Sequence, residues 1–377
     1  MGKIDELIQQ YCPDGVEYKP LGKVCLMERG TSATKGTMQS GEIPVISGGR
    51  QPSFYCNQSN RTGETITVAG SGAGAGYVQY WNEPIFVCDA FSIKGSDNII
   101  TKFVYYFLAS IQEQIYSTKK GGGVPHVHIS SIDKFEIPLP PLPVQEAIVN
   151  ILDRFTVYAA ELQAELQARQ QQYNYYRDTL LSFEGREDVQ WKKLGEVGKV
   201  CMCKRILKEQ TSLSGDVPFF KIGTFGGKAD AYISQELFET YKAKYSYPKK
   251  GDILISAAGT IGRTVVFDGC PSYFQDSNIV WLKHDESVVL NSYLKYCYSL
   301  NPWAVSTGGT IARLYNDNIL NAIIPIPPLS VQQRIVDILD RFDTLVNDLS
   351  QGLPAEIEAR QQQYEYYRDR LLTFNRK

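Results

Sequence analysis

The sequence has few of the residues and spacings from which metal sites are built. It contains three histidines and eight cysteines in 377 residues, and no Cys-x-x-Cys pair occurs. The neighbouring pairs Cys201 with Cys203 and His126 with His128 do not have a spacing typical of a zinc site. We therefore expect no metal and no cofactor.

The sequence also lacks any apolar run of 18 residues, which argues against a membrane-spanning helix. Its first residues, MGKIDELIQQYC, have no apolar core of the kind that a secretory signal needs. Cysteines stay reduced inside the cell. We expect a cytoplasmic protein with reduced thiols and no membrane partner.

The chain as a whole lacks a strong charge, because 39 Lys and Arg stand against 41 Asp and Glu, a formal net charge of -2. This balance excludes a general electrostatic binder of nucleic acids. The charge is uneven, however, since residues 191–250 hold twelve Lys and Arg against six Asp and Glu. A local basic region favours a confined anionic partner.

Complete catalytic motifs are missing as well. The glycine run at 70–76 has neither the Lys-Ser/Thr of a Walker loop nor the G-x-G-x-x-G register of a dinucleotide fold. The stretch 301–303 lacks the second proline of the Asn-Pro-Pro-aromatic signature of amino-group DNA methyltransferases. Asp14 and Glu17 are too close in sequence to lie on adjacent strands around a metal, and Pro-Asp-Gly there predicts a turn. We expect no catalytic residues.

A long internal repeat is the main feature that is present. IPLPPLPVQEAIVNILDRF at 137–155 returns as IPIPPLSVQQRIVDILDRF at 324–342. A second block, ARQQQYNYYRDTLLSF at 168–183, returns as ARQQQYEYYRDRLLTF at 359–374. Repeats of this kind decide the architecture.

Apolar residues follow each proline-led start in steps of three and four, which predicts long helices near 143–183 and 330–374. We expect the helices to pack antiparallel, with Phe155 and Phe342 buried and Leu152 off the stripe. Pro354 either kinks the second helix or lies in the first turn of a restarted one. The packing residues that we predict are Ile148, Phe155, Tyr176, Ile335, Phe342 and Tyr367.

The repeat unit extends beyond the helices, because DGVEYKPLGKVC at 14–25 resembles DVQWKKLGEVGKVC at 188–201. Turn-then-strand signals and short helical stretches near 103–111 and 293–298 follow in both halves. We predict an α+β protein in which two pseudo-repeated mixed α/β domains are joined by two long antiparallel coiled-coil helices. The expected segments are a first domain at 1–142, a helix at 143–186, a second domain at 187–329 and a helix at 330–377.

Basic residues lie in or beside the loops of both halves, several of them next to glycine clusters at 70–76, 121–123, 259–262 and 308–309. Glycines let backbone amides approach a phosphate closely. A single such residue is usually a solvated charge, but the recurrence in both halves favours DNA contact. The candidate DNA-binding residues are Lys119, Lys120, His126, Lys204, Arg205, Arg263 and Arg313.

The duplicated proline-led blocks and the paired QQQY-x-YYRD-x-LL-x-F blocks resemble the specificity subunit of type I restriction–modification enzymes over essentially the whole chain. The resemblance implies two target-recognition domains that each read one half of a split double-stranded DNA site. It also implies assembly with two DNA adenine methyltransferase subunits and with restriction subunits, and no catalysis by the chain itself. The DNA sequence that is read does not follow from it.

Two other classes of protein stay open at this point. One is a fused or solo DNA-modification enzyme with its own recognition part, which would need the catalytic motifs found missing above. The other is a coiled-coil scaffold without a DNA role, which would leave the basic, glycine-looped halves unexplained. DNA binding, measured with and without a methyltransferase subunit, separates these classes.

Overall fold

The computed structural model describes residues 2–121, 123–183, 185–305 and 313–377. They form two compact units. The first unit comprises Met1–Ala164 and Glu356–Lys377, and the second comprises Glu165–Ala355. Each unit therefore combines one globular half with segments of both repeated helical regions.

The globular half of the first unit is a set of short strands with helices on their faces. Its helices are α1 Gly2–Tyr11, α2 Leu21–Val24, α3 Thr101–Ser110, α4 Gln112–Ser117 and α5 Ile129–Ile132. Its strands are β1 Glu17–Pro20, β2 Cys25–Arg29, β3 Ile43–Ile46, β4 Phe54–Cys56, β5 Thr65–Ala69, β6 Val78–Trp81, β7 Phe86–Val87, β8 Ala90–Gly95 and β9 Glu136–Leu139.

The globular half of the second unit repeats this plan. Its helices are α7 Leu194–Val197, α8 Gln235–Lys244, α9 Asn291–Ser299 and α10 Asn316–Leu320, with a 3₁₀ turn at Lys208–Gln210. Its strands are β10 Gln190–Lys193, β11 Gly198–Met202, β12 Val217–Phe220, β13 Tyr232–Ile233, β14 Ile253–Ser256, β15 Thr264–Val266, β16 Tyr273–Phe274, β17 Ile279–His284 and β18 Ile323–Ile326.

The strand order is the same in both halves. The main sheet has the order β2-β8-β5-β6 in the first half and β11-β17-β14-β15 in the second, and the smaller sheet has the order β4-β3-β7 or β13-β12-β16. The strand before each proline-led helix pairs with the first strand of its half, β1 with β9 and β10 with β18. The central strands β5 and β14 are buried on both faces, so their side chains form the core. The α+β repeat that the sequence predicts is confirmed.

The two repeated helical regions differ in continuity. The first is one helix, α6, over Leu142–Ser182. The second consists of α11, Leu329–Asn347, and α12, Leu353–Leu371. Pro354 lies in the first turn of α12, where a missing N–H breaks no helical hydrogen bond. Of the two outcomes that the sequence allowed, the restarted helix is the correct one.

A buried glutamine joins each proline-led helix to its own globular half. The Gln145 amide donates to the Pro140 carbonyl at 2.8 Å and to the Asn98 carbonyl at 3.1 Å, and its oxygen accepts from Ile100 N at 2.9 Å. Gln332 makes the equivalent bonds to Pro327, Val288 and Leu290 at 2.8, 3.0 and 2.9 Å. Both side chains are fully buried. Loss of such an amide would leave backbone groups at this joint without hydrogen-bond partners.

Within each unit two helical segments pack antiparallel. In the first unit, Tyr158 of α6 bonds Glu356 of α12, while Phe155 lies 5.6 Å from Tyr367 between ring centroids. A residue earlier in α6 therefore contacts a residue later in α12, so the two helices run antiparallel. In the second unit, Tyr176 of α6 stacks on Phe342 of α11 at 5.3 Å. The two phenylalanines are equivalent in the repeat.

The burial of individual helix residues differs from the expectation in one respect. Phe155 and Phe342 are half-buried rather than buried, whereas Leu152 and its equivalent Leu339 are fully buried. The apolar stripe in the sequence indicates only the face that packs on the partner helix. Leu152 lies one turn after the buried Ile148 and belongs to the core of the globular half, so the helix buries two faces against two partners. Ile335 is buried likewise.

No helix among the residues that the structure describes has both the length and the apolarity needed to cross a membrane.

We expect Leu152→Ala to lower the free energy of unfolding by about 2–5 kcal/mol, because the truncation leaves a cavity in a closed core. Phe155→Ala should cost less, since its side chain is only partly buried. Gln163→Ala, on the exposed face of α6, serves as the control. Chemical denaturation of the three variants measures the order. A larger loss for Phe155→Ala than for Leu152→Ala would contradict this packing.

Candidate nucleic-acid interface

Three loops of the first globular half lie together, and we call residues 47–51, 70–76, 119–121 and 123–128 the first loop cluster. The Gly72 amide donates to the Pro125 carbonyl at 3.0 Å, and Val127 N donates to the Gly70 carbonyl at 3.0 Å. A Cβ at Gly48 would overlap the Ser71 carbonyl, so glycine permits this close approach. The glycine run at 70–76 is therefore a tight turn that is held by its neighbours.

The second globular half builds the same arrangement, and we call residues 221–227, 257–263 and 313–315 the second loop cluster. Leu314 N donates to the Ala257 carbonyl at 2.9 Å, which is the equivalent of the bond from Val127 to Gly70. His126 and Arg313, one residue earlier, therefore occupy equivalent positions. Residues 306–312, with the predicted Gly308–Gly309 pair, lie outside the described residues, as does Gly122.

The first loop cluster carries three of the predicted DNA-binding residues. Lys120 and His126 are exposed and exchange two backbone hydrogen bonds, at 2.9 and 2.8 Å. The His126 ring stacks on that of His128 at 6.2 Å, and the Lys119 ammonium lies 4.1 Å from the Tyr116 ring centroid. The loop therefore presents two cations and an imidazole on a fixed backbone.

The second loop cluster carries the two predicted arginines, and each is tied to a neighbouring loop. Arg263 donates to the Gly226 carbonyl at 3.3 Å, and Arg313 donates to the Ser277 carbonyl at 2.8 Å. A guanidinium has five N–H donors, so one bond leaves donors for a ligand. These contacts also orient the two side chains in advance.

The remaining two predicted residues, Lys204 and Arg205, lie outside both loop clusters. They are exposed and lie two and three residues after the end of β11. The Lys204 carbonyl accepts from the Tyr273 hydroxyl at 3.0 Å, and its ammonium lies 5.3 Å from the Tyr245 ring centroid. The structure therefore brings together three predicted residues in one half and two in the other.

Arg50 was not among the DNA-binding residues predicted from the sequence. It is exposed in the first loop cluster, and its guanidinium lies 5.0 Å above the Tyr77 ring. It follows Gly48 and Gly49, the same combination of glycine and basic residue that identified the other candidates. Beside this cluster opens a cavity of about 540 Å³ whose polar lining includes Arg29, Asp89, His126 and His128.

Cysteine chemistry is not favoured in either half. Burial raises the pKa of Cys25 and of Cys203 to about 12, so both are protonated thiols near neutral pH. Over the described ranges, no group of three or more His, Cys, Asp or Glu side chains is arranged to hold a metal ion. What the two loop clusters offer is hydrogen-bond donors and positive charge on fixed backbones.

Comparison with known families identifies the repeat. The model of the type I restriction modification DNA specificity domain matches twice, at residues 13–169 and 186–359. Each match covers one globular half with the helix that follows it.

Whole-chain relatives agree with this match. A Haemophilus influenzae protein that is named as a type I restriction enzyme specificity subunit is 46% identical over 374 residues, 96% of both chains. The EcoR124I/EcoR124II specificity subunit of Escherichia coli is 32% identical and covers 95% of this chain and 94% of its own.

Solved structures share the fold. The S subunit of a Mycoplasma genitalium type I restriction–modification system superposes with a TM-score of 0.64 at 17% identity, over 96% of this chain and 97% of that one. A chain from a structure of type I restriction–modification assembly and conformational transition superposes with a TM-score of 0.58 at 18% identity, over 96% of this chain and 98% of that one. From the duplicated domain match and the relatives of equal length, this chain belongs to the family of type I restriction–modification specificity subunits.

Proposed function

We propose that this chain reads a split DNA target and carries partner subunits to it without catalysing a reaction itself. Residues 1–142 and 187–329 act as the two reading domains, and residues 143–186 and 330–377 act as the helices between them. One observation carries this proposal: both halves build a loop cluster at the same place on the same strand order, but with different side chains. Such a pair suits a target whose two parts differ in sequence.

The side chains of the loop clusters match the chemistry of duplex DNA. Arginine can bond both acceptors of a guanine edge, and lysine neutralises phosphates. Arg263 and Arg313 are therefore the proposed base readers, while Lys119 and Lys120 contact phosphates. The near-neutral net charge fits this role because partner subunits can supply further phosphate contacts.

The partners that we propose are two DNA adenine methyltransferase subunits, together with restriction subunits, on double-stranded DNA in the cytoplasm. Two equivalent tyrosines support a pair of partners. Tyr175 on α6 and Tyr366 on α12 are 66% and 60% exposed, and each lies beside a tyrosine that packs on a phenylalanine within its unit. Large exposed aromatic side chains are typical anchors of protein interfaces.

Neither alternative class explains the same observations. A scaffold without a DNA role gives no reason for two loop clusters that share a backbone but differ in side chains. A fused modification enzyme would bind and methylate DNA without a second subunit, and an activity assay of the chain alone excludes or establishes it.

We expect Arg313→Ala to cost roughly 1–3 kcal/mol of binding to the preferred DNA and to relax the sequence preference at one position. Lys120→Ala should weaken binding to all sequences alike and lower the salt slope by about 1. Selection of bound duplexes from a random pool, followed by titration at several salt concentrations, measures both effects. If alanine variants of all seven predicted residues bound like the parent, the interface would lie elsewhere.

We expect the length of α6 to set the gap between the two half-sites. Four extra residues between Leu162 and Leu166 add about 6 Å at 1.5 Å per residue and slightly more than a full turn. DNA rises about 3.4 Å per base pair, so the gap should lengthen by roughly one or two base pairs, or binding should be lost through the added twist. Mapping of methylated adenines measures the gap. Altered bases within a half-site, or an unchanged gap, would refute the role of the helix.

We expect Tyr175→Ala and Tyr366→Ala each to weaken one methyltransferase contact by about 2 kcal/mol or more, as interface anchors do. The double variant should lose both copies, whereas Leu213→Ala, at a site 91% exposed in the second half, should lose neither. Native mass spectrometry of the assembled complex counts the copies. Two copies on the double variant at parental affinity would place the interface on another surface.

A further inference from the structure

The second globular half has a basic cleft that the loop clusters do not include. It has a volume of about 550 Å³, and four lysines line it: Lys242, Lys249, Lys250 and Lys283. Tyr245 and Trp281 are among its other walls. Because Lys249 and Lys250 precede β14 whereas the second loop cluster follows it, the cleft and the cluster lie at opposite ends of one strand.

The lining of this cleft carries positive charge and no carboxylate. The four lysines form no ion pair within the described residues, whereas Lys221 of the same half is paired with Asp230 at 2.7 Å. Asp252 and Asp268, on adjoining turns, accept hydrogen bonds from the backbone amides of Lys249 and Cys270. Four like charges around one cavity repel one another, and a bound anion removes that cost.

The first globular half treats the equivalent place differently. The strand register makes Lys94 the counterpart of Lys283, since Lys94 lies opposite Leu26 of β2 and Lys283 lies opposite Lys199 of β11. Arg61, which lines the same pocket as Lys94, already has partners. Its Nε lies 3.3 Å from the Glu28 carboxylate and donates to the Ser92 hydroxyl at 2.7 Å. The pocket there contains its own carboxylate, whereas the lining of the lysine cleft contains none.

We infer that this lysine cleft binds the phosphate backbone of the DNA duplex beside the half-site that the second half reads, an inference that rests on the proposed function. Lysine ammonium groups are compact charges on flexible stems, which suit phosphates and carry no base information. Strand β14 separates the cleft from the second loop cluster by roughly 13 Å at 3.3 Å per residue. Duplex DNA carries a charge about every 1.7 Å of its axis, so one duplex can contact both places.

The exposed Lys204 extends this positive surface. Its ammonium lies over the ring of Tyr245, which lines the cleft. Its backbone lies two residues after β11, at the end of the sheet that leads to the second loop cluster. Lys204 therefore lies between the loop cluster and the cleft, where it would add a further phosphate contact.

The test compares two sets of four lysines that are replaced by glutamine in the full chain, alone and with its methyltransferase subunit. One set is Lys242, Lys249, Lys250 and Lys283. The control set is Lys23, Lys35, Lys94 and Lys134, which are exposed in the first half and give the same change of net charge. Binding is titrated between about 50 and 200 mM salt on the preferred duplex and on a duplex of random sequence.

We expect the cleft set to weaken binding to both duplexes by the same factor and to lower the salt slope by about 3–4, with the selected sequence unchanged. The control set should change the slope by less than about 1. The single variants Lys249→Gln and Lys283→Gln, each expected to lower the slope by about 1, give the same answer if the fourfold variant folds poorly.

An unchanged slope in the cleft set, with a parent that still selects its sequence, would overturn the inference and leave the proposed function standing. A cleft set that lost the methyltransferase subunit but bound DNA normally would also overturn it, and would assign the cleft to an acidic protein surface. A parent without any sequence preference would overturn the proposed function itself.

Discussion

The orientation of each reading domain depends on one fully buried side-chain amide. Gln145 and Gln332 each bond the carbonyl before their own helix and two backbone groups of their own globular half. An apolar residue of similar size would fill the space but leave those donors and acceptors without partners. The joint between domain and helix is therefore polar, specific and directional, and it is built identically in both units.

Around this fixed joint the two halves have diverged at their surfaces. The strand order is common to both, and equivalent backbone hydrogen bonds hold the loops, while the residue before Val127 is a histidine and the one before Leu314 is an arginine. The equivalent place on the sheet carries a Glu28–Arg61 pair in one half and a cleft lined by four lysines in the other. A reader of two unlike half-sites needs this division, in which the frame is constant and the contact surface is free to change.

The sequence predicts the repeat, the helices and the family because each rests on periodicity or on long matched blocks. The restart at Pro354 could also be foreseen, since proline acts locally. Burial could not be predicted residue by residue. Leu152 and Phe155 differ in burial because α6 packs on its globular half as well as on a partner helix. The spacing of apolar residues along the sequence identifies only one of these two partners.

The candidate interface was predictable in part for a similar physical reason. Basic residues next to glycines mark loops, so Lys119, Lys120, Arg263 and Arg313 could be found from local pattern. The lysine cleft draws its members from α8, the following turn and β17. Their convergence depends on sheet register, so the sequence shows it only as the net positive charge of residues 191–250 and as basic residues beside loops, Lys242 among them.

A single chain with two equivalent but unlike reading domains should specify a DNA target in two separate parts. Single-molecule sequencing of methylated adenines, in cells that gain this chain together with its methyltransferase subunit, measures this. We expect one new motif made of two short specified parts that are separated by a fixed number of unspecified base pairs. A continuous motif, or methylation that is unchanged by the chain, would contradict this expectation.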